Sequence, residues 1–87
     1  MKPKVDIVIP VYNEEDNVLM LYSKLIFALK GFNATFIFVN DGSTDKSLER
    51  LRSIKSKKVK IISLKENTGQ SHALSIGFSH ATSPLVV

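Results

Sequence analysis

The sequence contains no cysteine and no tryptophan, only four glycines and three prolines, and no apolar run approaching a membrane span. Without cysteine there is no disulfide framework and no thiolate metal site, an absence that fits a reducing compartment. A spanning helix needs roughly 20 apolar residues. The opening run "MKPKVDIVIPVYNEE" is broken by Asp6 and Pro10 and soon meets acids, so it also makes a poor signal peptide. The glycines stand at 31, 42, 69 and 77 and spell neither G-x-x-x-x-G-K-[ST] nor G-x-G-x-x-G. That sets aside P-loop nucleotide hydrolases and dinucleotide-binding Rossmann enzymes.

What is present makes one globular domain at most. The 87 residues are 44% hydrophobic, which excludes a disordered chain. A chain of this size buries roughly two-thirds of its unfolded surface, so its stability margin is thin. The net charge of +4 comes largely from Lys55, Lys57, Lys58 and Lys60 in "IKSKKVKII". These lysines read first as a solvated helix end and strand start, with nucleic acid or an anionic membrane surface as the other readings. The lack of interleaved aromatics argues against nucleic acid.

Hydrophobic periodicity predicts a repeating unit. Val5–Pro10 is a continuous apolar run, apart from Asp6, and reads as a buried strand. "NEEDNVLMLYSKLIFALKG" follows as a helix with Val18, Leu21, Tyr22, Leu25 and Leu29 on one face and Gly31 as its stop. "ATFIFVN", Ala34–Asn40, is the second strand, rich in aromatic and β-branched residues. "STDKSLERLRSI" is a short helix with a stripe at Leu48, Leu51 and Ile54. Lys58–Leu64 is the third strand, Gly69–Ala81 a third helix, and "PLVV" the start of a fourth strand. The order βαβαβαβ implies a mostly parallel, Rossmann-like α/β sheet with right-handed crossovers. Parallel strands bring their carboxyl ends, and the loops "PVYNEE", "NDGSTD" and "KENTGQS", to the edge where such sheets bind ligands.

Each loop also has a purely structural reading. Asn13 and Asp16 have capping-box spacing, and Glu15 and Asp16 would complement a helix dipole. Asp41 and Gly42 could make a turn with Ser43 or Thr44 capping the second helix, and Asn67–Gly69 a turn and cap. Gathered on one edge, the same residues suit a nucleotide. Asp41 and Glu14 are acceptors for base N–H groups and ribose hydroxyls, and Tyr12 offers a ring for a base. The helix opening with Gly69 and Ser71 offers N–H groups to phosphate. A phospho-receiver domain shares the topology but needs paired acids after the first strand and an aspartate after the third, where "ISLKEN" has only Glu66.

"VDIVIPVYNEEDNV", "FIFVNDGSTDKS" and "LKENTGQSHALSIGFSHATSPLVV" resemble, in order and spacing, the N-terminal part of family 2 glycosyltransferases. The resemblance covers essentially the whole chain. It is most similar to the polyprenyl-phosphate sugar transferases, including dolichyl-phosphate mannose synthase-like enzymes. It implies a GT-A fold, of which residues 1–87 would be a single partial domain cut at the fourth strand. It implies a nucleoside-diphosphate sugar held by Pro10, Val11, Tyr12, Asn13 and Glu14, by Asp41 at the base, and by Asn67 and Gly69. Gln70 and His72 are weaker candidates. Where the family often has two acids, this chain has Asn40 before Asp41.

The resemblance further implies Mg²⁺ or Mn²⁺ in the full-length enzyme, held by an Asp-x-Asp motif after the fourth strand. That motif and the later catalytic base are not in this sequence, so neither catalytic nor metal-binding residues are assigned here. The expectation is the donor-binding front of an inverting enzyme of cell-wall or polysaccharide synthesis, inactive alone. The longer protein would work in the cytoplasm or at the cytoplasmic face of a membrane, on a membrane lipid acceptor such as polyprenyl phosphate or on a growing glycan. Nucleic acid is not an expected partner. The alternatives are a non-catalytic nucleotide-binding module and a nucleic-acid binder using Lys55–Lys60. Met20 and Phe27, roughly opposite the main stripe of the first helix, read either as scattered surface apolars or as a second contact, with the rest of the enzyme or with another copy. An open fourth strand adds a second route by which the fragment would self-associate.

Overall fold

The computed structural model describes residues 1–83; the predicted fourth strand falls on residues 84–87, outside the described residues. Three strands, β1 (Lys4–Val11), β2 (Asn33–Asp41) and β3 (Val59–Leu64), form one parallel sheet in the order β1-β2-β3. Helices α1 (Val18–Ala28) and α2 (Ser47–Arg52) cover one face, and α3 (Gln70–Ser79) covers the other. Two right-handed crossovers in one direction put α1 and α2 on the same side. After β3 the chain turns back, and α3 packs behind β1 and β2. The chain therefore reverses direction across the sheet beside β1, where ligand crevices form in open α/β sheets.

Alternation along β1 and β2 sorts two cores. Val5, Ile7, Val11, Phe36 and Phe38 face α1 and α2 and enclose Val18 and Leu51. Val8, Ile37 and Val39 face α3 and enclose Ala73. The Tyr22 ring stands edge-on to Phe36 at 5.5 Å and closes the first core under α1. Of the predicted α1 stripe, Val18 is buried and Tyr22, Leu25 and Leu29 pack against the core, but Leu21 is 40% exposed.

Asp6, the one charge in the first apolar run, is buried on the α3 side. Its carboxylate accepts hydrogen bonds from the Thr82 N–H (2.8 Å), the Ser83 N–H (2.9 Å) and the Ser83 hydroxyl (2.8 Å). Burial raises its pKa, but the Ser83 and Thr82 bonds outweigh that and hold it below 3.8, with Lys60 adding a favourable charge. Asp6 thus ties the segment after α3 to the first strand.

Gly77 lets α3 lie against the sheet. A Cβ there would overlap Val8 Cγ1 and come within 3.1 Å of Val39 Cγ2. Gly77→Ala should cost about 2 kcal/mol, because overpacking a close contact outweighs the roughly 1 kcal/mol that alanine gains in a helix. Urea unfolding should show a lower midpoint at unchanged slope; an unchanged midpoint would mean that α3 packs more loosely than described. Among the described residues no helix is long and apolar enough to cross a membrane.

Candidate functional site

Three loops meet at the carboxyl ends of the strands, and the middle segment, from Asp41 at the end of β2 to Ser47 at the start of α2, holds the other two. Toward the first loop its side chains take consecutive backbone amides. The Asn13 N–H donates to Ser43 Oγ (3.0 Å), the Glu14 N–H to Ser47 Oγ (2.7 Å) and the Glu15 N–H to Asp45 Oδ2 (3.1 Å). In return the Thr44 N–H donates to Asn13 Oδ1 at 2.8 Å. Asn13 adopts φ +52°, a conformation its short polar side chain tolerates better than most.

This lock corrects two expectations. The first helix starts at Val18, not Asn13, so no acid lies in its first turn, and no side chain caps it. Asn13 spends its side chain on Thr44 rather than on a capping box. Ser43 and Thr44 do not cap α2 either. Asp45 Oδ1 accepts the Ser47 N–H at 2.9 Å while Oδ2 takes Glu15. Burial raises the Asp45 pKa, but the Ser47 and Glu15 bonds hold it below 3.8.

Toward the third loop the contact is Asp41, which is buried at the end of β2. Its Oδ1 accepts the Thr68 N–H (2.8 Å) and hydroxyl (2.7 Å); its Oδ2 accepts the Gly69 N–H (3.0 Å) and the Asn67 amide (3.2 Å). A carboxylate has about four lone-pair positions, and all four are occupied. Burial raises the Asp41 pKa, but the Thr68 and Gly69 bonds outweigh it and, with the nearby charge of His72, hold it below 3.8. Gly42, at φ +68°, passes so close to Glu66 and Asn67 that no side chain fits between the loops.

The result is a cleft of about 410 Å³ lined by Pro10, Val11, Tyr12, Glu14, Asp41, Asn67, Gly69 and Gln70. The predicted site residues thus come together, except Asn13, which faces the second loop and lies behind the wall. Tyr12 is half-exposed and Glu14 exposed, with Glu14 Oε2 accepting the Asn17 side-chain N–H at 3.3 Å. His72 is exposed on α3 and does not line the cleft. Asn40 is buried, donates to Ser63 Oγ (3.1 Å) and leaves its own Oδ1 without a partner among the described residues. By strand alternation it faces α2, not the cleft.

Sequence reasoning missed Asp45, Ser43, Ser47 and Thr68 as organising residues. The run Asp41-Gly-Ser-Thr-Asp45 carried the signal, since two acids four apart in a turn seldom serve one role. Asp45→Ala should free the Glu15 amide and loosen the first loop, while Asp45→Asn should keep part of the lock. Amide exchange at Glu15 should rise in the order wild type, Asn, Ala. Equal protection in all three would remove Asp45 from the account.

Residues 6–87 match the family model described as "Glycosyl transferase family 2". The chain belongs to that family. Among curated relatives, an "uncharacterized glycosyltransferase" of Synechocystis sp. is 40% identical over 91 residues, covering 100% of this chain and 29% of that protein. A "Dolichol-phosphate mannosyltransferase" of Pyrococcus furiosus is 36% identical, over 97% of this chain and 24% of its own length. An "Undecaprenyl-phosphate 4-deoxy-4-formamido-L-arabinose transferase" of Proteus mirabilis is 39% identical, over 97% and 27%. The chain therefore spans about a quarter of the length of these relatives. Mannosyltransferase PcManGT from Pyrobaculum calidifontis, solved with GDP-Man and Mn2+, superposes with a TM-score of 0.82 at 22% identity, over 99% of this chain and 26% of that one. That likeness meets the fold expectation, the Rossmann-like front of a GT-A domain.

Proposed function

We propose that this family 2 chain holds the donor of a glycosyl transfer, a nucleoside-diphosphate sugar, for delivery to a polyprenyl phosphate or a growing glycan. The observation that carries the reading is the single cleft built from all three loops at the point where the chain reverses across the sheet. Tyr12 lies against the base, and Glu14 accepts from a ribose hydroxyl. Gly69 opens α3, whose first N–H groups face the diphosphate. Asp41 holds Asn67–Gly69 in place for this, and a base N–H reaches it only by displacing one of the four donors already there.

A divalent ion does not fit the residues described. No group of three or more His, Asp or Glu capable of holding one occurs among them, and the Asp41 carboxylate is fully engaged. No step is therefore assigned to a metal in this chain. On this reading the chain binds donor without turning it over, and transfer with inversion, at the cytoplasmic face of a membrane, belongs to a longer protein.

Calorimetric titration with UDP, GDP, their sugar conjugates and inorganic phosphate tests the reading. A dissociation constant of roughly 10 µM to 1 mM, or about 4–7 kcal/mol, is expected for one nucleotide, with the other weaker. Nucleotides that bind no better than inorganic phosphate would overturn it.

A further inference from the structure

The molecule separates its charge along the strand direction. The loop acids Glu14, Glu15, Asp16, Asp41, Asp45 and Glu66 gather at the carboxyl ends of the strands, where they outnumber Lys46 and Lys65. At the opposite edge stand Lys2, Lys4, Lys55, Lys57 and Lys58, with Lys30 where α1 ends. The outer face of α1 is mostly apolar: Met20 is 56% exposed, Ile26 45% and Phe27 71%, with Ser23 and Lys24 as its exposed polar residues, and no acid lies between Val18 and Ala28. Apolar and basic groups interleave where α1 ends. Ile26, Phe32, Lys2, Lys30 and Lys58 line one groove of about 290 Å³, and the Lys30 ammonium sits 4.4 Å from the centre of the Phe27 ring.

Two copies meeting through this face would bring the two sets of lysines together, which opposes self-association through Met20 and Phe27. A phosphate backbone would satisfy the lysines but give the aliphatic side chains no reason to leave water. An anionic bilayer satisfies both, since side-chain stems and rings enter the acyl boundary while ammonium groups stay among the headgroups. We propose that α1 lies along the surface of an anionic lipid bilayer, with Met20, Ile26 and Phe27 in the interface and Lys2, Lys30 and Lys58 on the headgroups. The acids before Val18 lift the amino end, so the helix tilts with its carboxyl end nearest the lipid. The helix is roughly 16 Å long, and the cleft beside its amino end stays open to water. The proposal stands apart from the donor reading.

Co-sedimentation of the 87-residue chain with large vesicles tests it, using phosphatidylcholine alone and phosphatidylcholine with phosphatidylglycerol. Binding is expected to the anionic vesicles only, and to weaken as salt rises. Phe27→Ser should lower partitioning by about tenfold and Lys30→Gln by about fivefold. Both positions are exposed, so circular dichroism should show an intact fold in each. Equal binding to neutral vesicles, no binding to either, or no loss on Phe27→Ser would overturn the proposal. So would a dimer in light scattering that Phe27→Ser dissociates, or an oligonucleotide bound more tightly than the anionic vesicles.

Discussion

Asp41→Ala should abolish nucleotide binding and cost the fold on the order of 3 kcal/mol, because it strands three donors at once and weakens the hold on a fourth. The Thr68 amide and hydroxyl and the Gly69 amide lose their acceptor, and the Asn67 side chain keeps only its 3.2 Å bond to the Asp41 carbonyl oxygen as an anchor of the third loop to β2. Asp41→Asn should fall between, since an amide oxygen keeps part of the acceptance while its NH2 faces donors. The pH dependence follows from the direction of the shift. Asp41 is depressed in the folded state, so its stabilisation is present above the ordinary value of 3.8 and lost as pH falls through the lower folded value. Asp6 adds to the same acid slope. Urea midpoints measured between pH 7 and pH 2 should stay level until about pH 4 and then fall. The fall should be shallower in Asp41→Asn. An identical slope in that variant would show that the carboxylate is not held as described.

Gly42→Ala should be nearly as damaging to the cleft, by a different route. Position 42 sits at φ +68°, which costs an alanine about 1 kcal/mol before any contact is counted. Its Cβ would overlap the Glu66 carbonyl carbon and the Asn67 nitrogen and lie 2.8 Å from Glu66 Cα. Those are backbone atoms, so no rotamer change relieves the overlap; the third loop must move away from Asp41 as a unit. The expected loss is about 3 kcal/mol in stability and at least about tenfold in nucleotide affinity, a factor worth 1.4 kcal/mol. Thermal unfolding and the calorimetric titration read the two effects separately. A variant that keeps wild-type affinity would mean that the second and third loops do not act as one wall.

Much of the fold was legible because it rests on local pattern. The continuous apolar run Val5–Pro10 and the aromatic and β-branched run Ala34–Asn40 marked two strands, and the strand–helix repeat implied parallel strands with their loops on one edge. That edge also assembled Pro10, Tyr12, Glu14, Asp41, Asn67 and Gly69, since topology alone brings strand ends together. What escaped the sequence was the wiring, because its partners lie far apart in the chain. Asn13 has local capping chemistry, yet Ser43 and Thr44, 30 and 31 residues away, take its amide and side chain and delay the helix to Val18. Asp6 looked like an interruption because its partners, Thr82 and Ser83, lie 76 and 77 residues on. Asp41 looked like a free acceptor because nothing local shows Thr68 and Gly69 filling it. Tertiary hydrogen bonds override local propensity at all three places.

The central claim is that the second loop binds the first and third into one nucleotide cleft. Backbone amide shifts of isotope-labelled protein, followed during UDP and then GDP titration, test it most directly. The account predicts concerted shifts, with one dissociation constant, at Tyr12–Glu14, at Gly42–Asp45 behind the wall and at Asn67–Gln70, with Thr68 moving most if a base N–H enters the Asp41 cluster. Shifts confined to one loop, or separate constants for the first and third, would contradict it.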